Sequence, residues 1–330
     1  MSPLGEFELI ARFFHRSGKA APGVALGIGD DCALLTPTPG MQIAVSSDML
    51  VEGRHFLSTV APERLGHKAL AVNLSDLAAC GARPLAFTLA LALPRPDAAW
   101  LEGFARGLFA LADAHGCALV GGDTTAGPLN LCITVFGEVP PGQALRRSGA
   151  RVGDELWVSG TPGEARLALE VFRGTLSLPQ AAFERVRARM ETPTPRVALG
   201  LALRGIASAC ADVSDGLAGD LGHILTASGV GACIDAATAT SLLAKPDQLA
   251  LGYGEIPAEK RLEWVLAGGD DYELVFTAPA AAHEAVLRAA QAAGTPVTCI
   301  GTIEAAPGLR LRATGGHVRP CPYGGFDHFA

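Results

Sequence analysis

The sequence is poor in charge and carries no basic cluster that could balance its acidic ones. Only 18% of its 330 residues are charged, whereas 49% are hydrophobic, which indicates a well-buried globular protein and not a disordered one. The formal charge of -7 at pH 7 argues against general binding to nucleic acid or to an anionic membrane. No apolar run approaches the roughly 20 residues that span a bilayer, so we expect no membrane segment.

Cysteine patterns that bind zinc or staple a small fold are also missing. The eight cysteines include no C-x-x-C pair and no spacing typical of zinc ligands. Most of them lie in apolar runs, so we interpret them as buried thiols in a reducing compartment. The first apolar stretch contains Glu6 and Glu8 and lacks a basic start, so we predict no signal peptide. These features favour a cytoplasmic location.

Several common catalytic signatures are absent as well. The chain has no G-x-x-x-x-G-K-[ST] loop, no protein-kinase motif set, no G-x-S-x-G elbow and no H-E-x-x-H. The segment GIGDD is not a dinucleotide-binding fingerprint, because Cys32 occupies the place of the third glycine. P-loop, serine-hydrolase and zinc-hydrolase chemistry are therefore poorly supported.

Length and pattern predict two mixed α/β domains. The chain exceeds the usual size of one domain, and strands alternate with helices in both halves. The pattern breaks at Pro140-Pro141-Gly142 and a new strand follows from Glu155, so we place the domains at 1–150 and 151–330. Predicted helices include 6–15, 62–80, 97–115, 164–172, 179–190, 195–204 and 279–293. Predicted strands include 43–45, 87–93, 118–120, 131–139, 155–159, 209–213, 273–277 and 297–303.

Acidic residues recur in six short blocks that are rich in glycine or serine. The blocks are GIGDD (27–31), SSD (46–48), NLSD (73–76), GGDT (121–124), DVSDG (212–216) and GGDD (268–271). Each adjoins an apolar run, so we expect the carboxylates at the ends of buried elements, where distant segments can meet. Clustered aspartates repel one another unless a cation neutralises them, and a hard, oxygen-binding ion such as Mg²⁺ suits them. Because glycine lets backbone N–H groups approach phosphate, the blocks predict phosphoryl chemistry.

Each block alone also has an ordinary structural explanation. GIGDD fits a turn with aspartates at a helix N-cap, and SSD fits a polar strand end. Asp76 could instead bond locally to Asn73 or to a neighbouring backbone group, and Asp215 could be an N-cap. Capping does not explain Asp212, and turns alone do not readily explain all six blocks together.

Read in order, the motifs resemble those of the thiamine-monophosphate kinase family. This family belongs to a superfamily with aminoimidazole ribonucleotide synthetase and selenophosphate synthetase. The resemblance runs nearly end to end through GEFELIARFF, LGIGDDCALL, KALAVNLSDLAACGA, GGDTT, RSGA, DVSDGLAGDLGHI, GGDDYEL and GGFDHF. It implies ATP-dependent phosphorylation of thiamine monophosphate to thiamine diphosphate. It also implies an N-terminal α/β domain that pairs with its twin in a homodimer, and a larger C-terminal α/β domain.

The resemblance also assigns roles to individual residues. It implies several Mg²⁺ ions with ligands at Asp30, Ser46, Ser47, Asp48, Asp76, Asp123, Asp212 and Asp215. It implies ATP contacts at Gly122, Asp123, Arg147 and Ser214, and thiamine-phosphate contacts at His55, Asp270 and Phe326. The family segment usually reads GGEDYEL, so Asp270 replaces a glutamate that is associated with the thiamine side. The shorter side chain keeps the charge and loses one methylene of reach.

Two rival interpretations remain. The first is a different enzyme and the second is a protein without catalytic activity. One is another ATP-using member of the superfamily, which activates an oxygen or selenide for transfer. A selenophosphate synthetase would need a reactive cysteine or selenocysteine in a glycine-rich N-terminal segment, and no such segment is apparent. The other is a non-catalytic protein that binds divalent cations, which would leave Arg147 and Ser214 unexplained.

Overall fold

The protein divides into two compact units. The structure is a computed structural model that describes residues 5–16 and 21–329. One unit runs to Leu77 and continues from Ala82 to Gly142, and the other contains Ala78–Gly81 and everything from Gln143 onward. The predicted boundary near residue 150 lies a few residues beyond this division. Within the described ranges, no helix combines the length and apolar character that crossing a bilayer requires.

The first unit consists of a four-stranded sheet, a small hairpin and helices. Its elements are α1 (Glu6–Leu9), a π-helical turn (Ile10–Phe14), β1 (Val24–Leu26), β2 (Leu34–Leu35), β3 (Gln42–Val51), α2 (Pro62–Ala79), β4 (Arg83–Leu93), α3 (Ala98–Ala114), β5 (Ala118–Ala126) and β6 (Asn130–Val139). The last two residues of α2 are assigned to the second unit. The sheet has the order β3-β6-β4-β5, in which β4 and β5 are parallel and the other pairs are antiparallel.

The two faces of this sheet have different surroundings. One face is buried and carries residues such as Leu50, Leu89 and Ile133, and α2 packs on it near Gly137. On the other face the β1–β2 hairpin packs against one end, around Leu85. The rest of that second face is open, and it includes the exposed apolar side chains of β3. We call this region, which carries Val45, Ser47 and Met49 on β3, the open face.

The second unit is built on a seven-stranded sheet. Its elements are β7 (Asp154–Ser159), α4 (Glu164–Phe172), α5 (Gln180–Glu191), α6 (Val197–Ala202), β8 (Ala209–Val213), α7 (Leu217–Ser228), β9 (Gly231–Asp235), α8 (Ala236–Ser241), α9 (Pro246–Ala250), α10 (Ala258–Ala267), β10 (Glu273–Pro279), α11 (His283–Ala292), β11 (Val297–Glu304), β12 (Gly308–Arg312) and β13 (Val318–Pro320), with 3₁₀ turns at Tyr253–Glu255 and Ala280–Ala282. The strand order is β13-β12-β9-β11-β7-β10-β8, and only β12 and β9 among these neighbours are parallel.

The predicted fold class of two mixed α/β units is confirmed. Helix α4 and strand β8 have the predicted bounds, and α2 ends one residue earlier than predicted. The predicted ends of β3 and β5 are wrong, because both strands continue through their polar blocks. Strands β1, β2, β9, β12 and β13 were not predicted. The first predicted helix is partly π-helical, since it changes type at Ile10.

Candidate functional site

In the first unit, the NLSD block of α2 meets the SSD block of β3 on the buried face of the sheet. The Ser46 hydroxyl donates to the Asp76 carboxylate at 2.5 Å. The buried Asn73 accepts the backbone N–H of Asp48 at 3.1 Å and donates its own amide to Ala69 at 3.0 Å. Asn73 and Asp76 are three residues apart and therefore lie on one side of the helix. The pairing across two elements joins blocks that are 30 residues apart.

The remaining acidic blocks of the first unit lie elsewhere. Because side chains alternate along a strand, Ser47 projects from the opposite face to Ser46. Its hydroxyl lies 3.0 Å from the Thr134 hydroxyl on β6. Asp123 is exposed. Across the sheet, Asp123 pairs with Ala90, Ala90 with Cys132, and Cys132 with Met49. Paired residues project from the same face, so Asp123 lies on the open face with Ser47. Asp30 is exposed in the loop between β1 and β2.

The backbone conformation at position 122 of β5 requires glycine. Its φ of 147° is one that L side chains rarely adopt, and a Cβ there would lie 1.8 Å from the Leu89 carbonyl oxygen. The register between β4 and β5 shifts just before this point, between Phe87 and Thr88. A substitution at Gly122 would therefore disturb the sheet as well as any nucleotide bound beside it.

His55 follows β3 and has a defined tautomer. Its Nδ1 accepts the backbone N–H of Val51 at 3.0 Å, so in the neutral ring the proton is on Nε2. The backbone carbonyl of His55 accepts from the buried Lys68 ammonium group at 3.1 Å. The ring is half-buried.

In the second unit, the DVSDG block forms the turn between β8 and α7. Asp212 is buried at the end of β8. The Asp220 carboxylate accepts the backbone N–H groups of Ser214 and Asp215, each at 3.1 Å. Burial, with the nearby charge of Asp215, raises the pKa of Asp220 to about 7. The N-cap of α7 is Gly216 and makes no side-chain cap bond, so the alternative of Asp215 as N-cap is wrong.

The GGDD block is bonded to that same turn. The backbone N–H of Asp270 donates to the Ser214 carbonyl at 2.7 Å, and that of Tyr272 donates to Val213 at 2.8 Å. Asp270 and Tyr272 both have left-handed backbone conformations, with φ of 62° and 51°. Strain of this kind persists only where surrounding structure fixes the backbone, and it is concentrated at functional sites. The half-buried Asp270 side chain is thereby held beside the turn that carries Asp215.

The two carboxylates of GGDD have different surroundings. Asp271 is buried, and both of its oxygens lie 2.9 Å from the Gly163 N–H, which they accept. Burial raises the pKa of this carboxyl well above its usual range. Asp271 thus ties the block to the start of α4, and its role is structural.

The C-terminal GGFDHF segment completes this cluster. The Phe326 N–H donates to the Asp215 carbonyl at 2.8 Å, and its ring is 56% exposed. The Phe326 and His328 rings are T-shaped with centroids 5.0 Å apart. Asp215, His223 and Phe326 are among the residues that line a cavity of about 390 Å³. Three blocks from distant parts of the chain therefore converge in the second unit.

Arg147 presents its side chain from a fixed backbone. The Ser228 hydroxyl donates to the Arg147 carbonyl at 3.1 Å and accepts the N–H groups of Gly149 and Ala150 at the same distance. The Arg147 side chain is exposed. A planar guanidinium on a fixed backbone is suited to gripping phosphate.

The sequence reasoning missed the residues that support these blocks. The Asp220 carboxylate accepts backbone N–H groups of the turn, and the Gly163 N–H donates to the Asp271 carboxylate. No local pattern reveals either bond, and the spacing of GGDD groups Asp271 with the acidic blocks. Across residues 5–16 and 21–329, no group of three or more His, Cys, Asp or Glu side chains is arranged to hold a metal ion. Mg²⁺ usually keeps several waters and binds through one or two carboxylates and substrate phosphates, so it does not require such a group.

Comparisons with known proteins agree along almost the entire chain. The family model described as AIR synthase related protein, N-terminal domain, matches residues 29–139, and that described as AIR synthase related protein, C-terminal domain, matches residues 151–314. The thiamine-monophosphate kinase of Salmonella typhimurium strain LT2 is 46% identical over 328 residues, which cover 99% of this chain and 98% of that protein. The same identity and coverage hold for the enzyme of Escherichia coli strain K12.

Solved structures give the same result for the fold. The crystal structure of thiamine-monophosphate kinase from Stenotrophomonas maltophilia K279a has a TM-score of 0.78 and 44% identity, covering 92% of this chain and 94% of that one. The structure of AaThiL complexed with AMPPCP and TMP has a TM-score of 0.73 and 27% identity, with 89% of both chains covered.

Proposed function

The chain belongs to the thiamine-monophosphate kinase family of AIR synthase related proteins, and we propose that it transfers the γ-phosphoryl group of ATP to thiamine monophosphate. The products are thiamine diphosphate and ADP. The observation that carries this assignment is the match over 99% of the chain to a kinase of that name, in a chain whose acidic and glycine blocks converge as described. The relative solved with AMPPCP and TMP supports both substrates.

The transfer is direct and needs no covalent intermediate on the protein. A phosphate monoester has a second pKa of about 6, so the acceptor phosphate is already a competent nucleophile at neutral pH. A strong general base is unnecessary, and in-line alignment with charge stabilisation supplies most of the acceleration. Residues that position phosphates therefore matter more here than residues that transfer protons.

Mg²⁺ is the cation that the donor set fits. Carboxylate and hydroxyl oxygens are hard ligands, and the Ser46 hydroxyl already lies 2.5 Å from the Asp76 carboxylate. We assign ligands in the first unit to Asp30, Ser46, Ser47, Asp48, Asp76 and Asp123, and in the second unit to Asp212 and Asp215. Because Ser46 and Ser47 point to opposite faces of β3, their side chains would serve different ions. When bound, the ions offset the charge of the phosphates.

Nucleotide and acceptor contacts follow the positions of the blocks. We assign ATP contacts to Gly122, Asp123, Arg147 and Ser214, and thiamine monophosphate contacts to His55, Asp270 and Phe326. Support comes from the exposed Arg147 side chain, the fixed orientation of the His55 ring and the fixed turn that carries Asp270. The exposed aromatic ring of Phe326 suits contact with the heterocyclic part of the acceptor.

A second copy of this chain is the proposed partner of the open face. Val45 is 57% exposed and Met49 56% exposed on β3, an edge strand of ten residues. A long edge strand beside an exposed apolar surface favours association with another chain. Val45→Glu with Met49→Glu should shift the protein to half its mass in light scattering, whereas the control Leu287→Glu on α11 should not. An unchanged mass in the double variant would remove this proposal.

The location that we propose is the cytoplasm. All eight cysteines are free thiols, which suits a reducing compartment. Burial raises the pKa of the Cys117 thiol to about 12, so this side chain acts as a buried apolar group. Fractionation of cells that express the tagged protein would test the location.

Incubation of the purified protein with ATP, Mg²⁺ and thiamine monophosphate tests the activity directly. We expect equimolar thiamine diphosphate and ADP, no product without the acceptor, and loss of product after exhaustive chelation. Labelled ATP should leave no phosphate on the protein during turnover. Cation binding without turnover would favour the non-catalytic alternative, and activity with selenide or another acceptor would favour a different member of the superfamily.

A further inference from the structure

The C-terminal segment is held against the first turn of α7 by an unusually close backbone contact. Phe326 is anchored by its N–H bond to the Asp215 carbonyl, and Gly325 immediately precedes it. A Cβ built on Gly219 would lie 2.5 Å from Gly325 Cα and 2.8 Å from Gly325 N. Real Cβ atoms do not approach backbone this closely, so the segment lies where it does because residue 219 has no side chain.

The contact is specific to this turn of the helix. A Cβ on Gly325 would lie 3.2 Å from Gly219 Cα, which is tight but less severe. A Cβ on Gly222, further along α7, or on Gly324 in the segment would meet nothing within 4 Å. Each side of the contact therefore has a crowded glycine and an uncrowded control: Gly219 and Gly222 on α7, and Gly325 and Gly324 in the segment.

The same contact shapes the cavity in the second unit. Gly219, Gly325 and Phe326 all line it, together with Asp215 and His223. A displaced segment would move the Phe326 ring relative to Asp215, and it would break the bond that joins their backbones. The position of the Phe326 ring at the cavity therefore depends on Gly219 having no Cβ.

We propose that Gly219 is a positioning residue, which sets the affinity for the phosphate acceptor by holding Phe326 where the heterocyclic part of that acceptor binds. The inference rests on the proposed function, because it takes Phe326 as an acceptor contact. Gly219 acts through the C-terminal segment and touches neither phosphate nor nucleotide in this role. Its effect is therefore expected in the KM for thiamine monophosphate and not in the KM for ATP.

Matched alanine variants test this assignment. Gly219→Ala should raise the KM for thiamine monophosphate about five- to tenfold, which lies within the roughly two- to twelvefold range expected for loss of an aromatic contact. The kcat and the KM for ATP should stay within about twofold of the wild type. Gly222→Ala should behave as the wild type. Gly325→Ala should give an intermediate increase and Gly324→Ala none. Equal acceptor KM values in Gly219→Ala and Gly222→Ala would overturn the proposal.

A double-mutant cycle separates positioning from general damage. If Gly219 acts through Phe326, Gly219→Ala should add little to the KM change that Phe326→Ala already causes. Fully additive changes, or no change of KM in Phe326→Ala, would refute the proposal. Because alanine is favoured over glycine within a helix, the melting temperature of Gly222→Ala should hold or rise. That of Gly219→Ala should lie below it, because the displaced segment loses its contact with α7.

Hydrogen exchange supplies a readout that needs no substrate. The amide of Phe326 should exchange faster in Gly219→Ala than in the wild type, and at the wild-type rate in Gly222→Ala. Unchanged exchange in Gly219→Ala would refute the displaced segment even if kinetics changed. Absence of thiamine diphosphate formation by the wild-type protein would instead reject the proposed function, so the two failures are distinguishable.

Discussion

Exposed acidic residues of the first unit differ from the buried Glu273 of the second unit in their surroundings and in their partners. In the first unit, Asp30 and Asp123 are exposed, and Asp76 accepts a hydroxyl group. In the second unit, Glu273 is fully buried and accepts from Arg189 and Arg196 at 2.5 and 2.6 Å. An exposed carboxylate can bind a cation at little cost, whereas a buried one must already be neutralised. The difference separates the exposed carboxylates of Asp30 and Asp123 from that of Glu273, which holds the fold.

Glu273 shows how completely a structural carboxylate is satisfied. Burial alone would raise the pKa of Glu273, but the hydrogen bonds and charges of Arg196 and Arg189 outweigh it and hold that pKa below its usual value. Ser159 donates a further bond to the carboxylate at 2.5 Å. Glu164 is similarly buried, and it accepts from Arg185 at 2.9 Å and from Thr161 at 2.7 Å.

The largest effect on stability should follow from removing the buried carboxylate. Glu273→Ala leaves the mostly buried Arg189 and Arg196 without this partner, so the free energy of unfolding should fall by about 3–5 kcal/mol. Glu263→Ala, which removes a surface pair with Lys260, should cost less than about 1 kcal/mol. Urea unfolding measures both. Equal losses would break the distinction between the two kinds of carboxylate.

Asp76, which we propose as a metal ligand, should behave in the opposite way. Asp76→Asn keeps the shape and removes the charge, so turnover should fall about 100- to 1,000-fold, as when one electrostatic stabiliser is removed. The melting temperature without metal should hold or rise because repulsion among nearby carboxylates is relieved. Asp113→Asn, which weakens a surface pair with Arg16, should leave turnover unchanged. An Asp76→Asn protein that melts much earlier and retains full turnover would assign Asp76 to the fold.

A smaller effect is expected at Asp271, where two variants sharpen the comparison. Asp271→Ala leaves the buried Gly163 N–H without its acceptor and should cost about 1–3 kcal/mol of unfolding free energy. Asp271→Asn retains an acceptor oxygen and should cost less than about 1 kcal/mol. Similar losses in the two variants, measured by urea unfolding, would mean that the charge and not the acceptor matters.

The smallest expected effect is a gradual change of stability with pH, which should differ in sign between Glu273 and Asp271. The lowered pKa of Glu273 gives stability that is present above its unfolded pKa of about 4.3 and lost as pH falls through the folded value. The raised pKa of Asp271 has the opposite sign, because its ionisation costs stability as pH rises above about 3.9. The free energy of unfolding of Asp271→Asn should therefore rise relative to that of the wild type as pH increases, by at most about 1.4 kcal/mol per pH unit. Parallel stability curves between pH 4 and 8 would contradict this.

Strong hydrophobic periodicity made several elements predictable. Helix α2 is a long stretch rich in alanine and leucine, and β8 is a short run that ends at the polar residues of the DVSDG block. Both were predicted nearly to the residue. Strands β3 and β5 were predicted too short because polar residues continue along them. On β3, Ser47 occupies the open face, where a polar side chain does not interrupt the ladder. A polar block in sequence therefore did not mark the end of a strand.

The candidate site was predictable in its blocks and not in their connections. The bonds of Asp270 to Ser214 and of Phe326 to Asp215 join segments that no local pattern relates. The Asp271–Gly163 bond spans 108 residues, and it gives a structural role to a carboxylate that the spacing grouped with ligands. Burial, which depends on the whole fold, separates Asp270 from its neighbour.

The left-handed backbone at Asp270 gives a meaning to the exchange of glutamate for aspartate there. At a φ of 62°, a short polar side chain is tolerated better than a longer one, because it can bond locally to the backbone. Aspartate therefore gives a less strained turn and, at the acceptor contact that we propose for this residue, a shorter reach. Glutamate at this position would gain a methylene of reach and bear a higher conformational cost. The two side chains are thus two compromises between the stability of one turn and the grip on the proposed substrate.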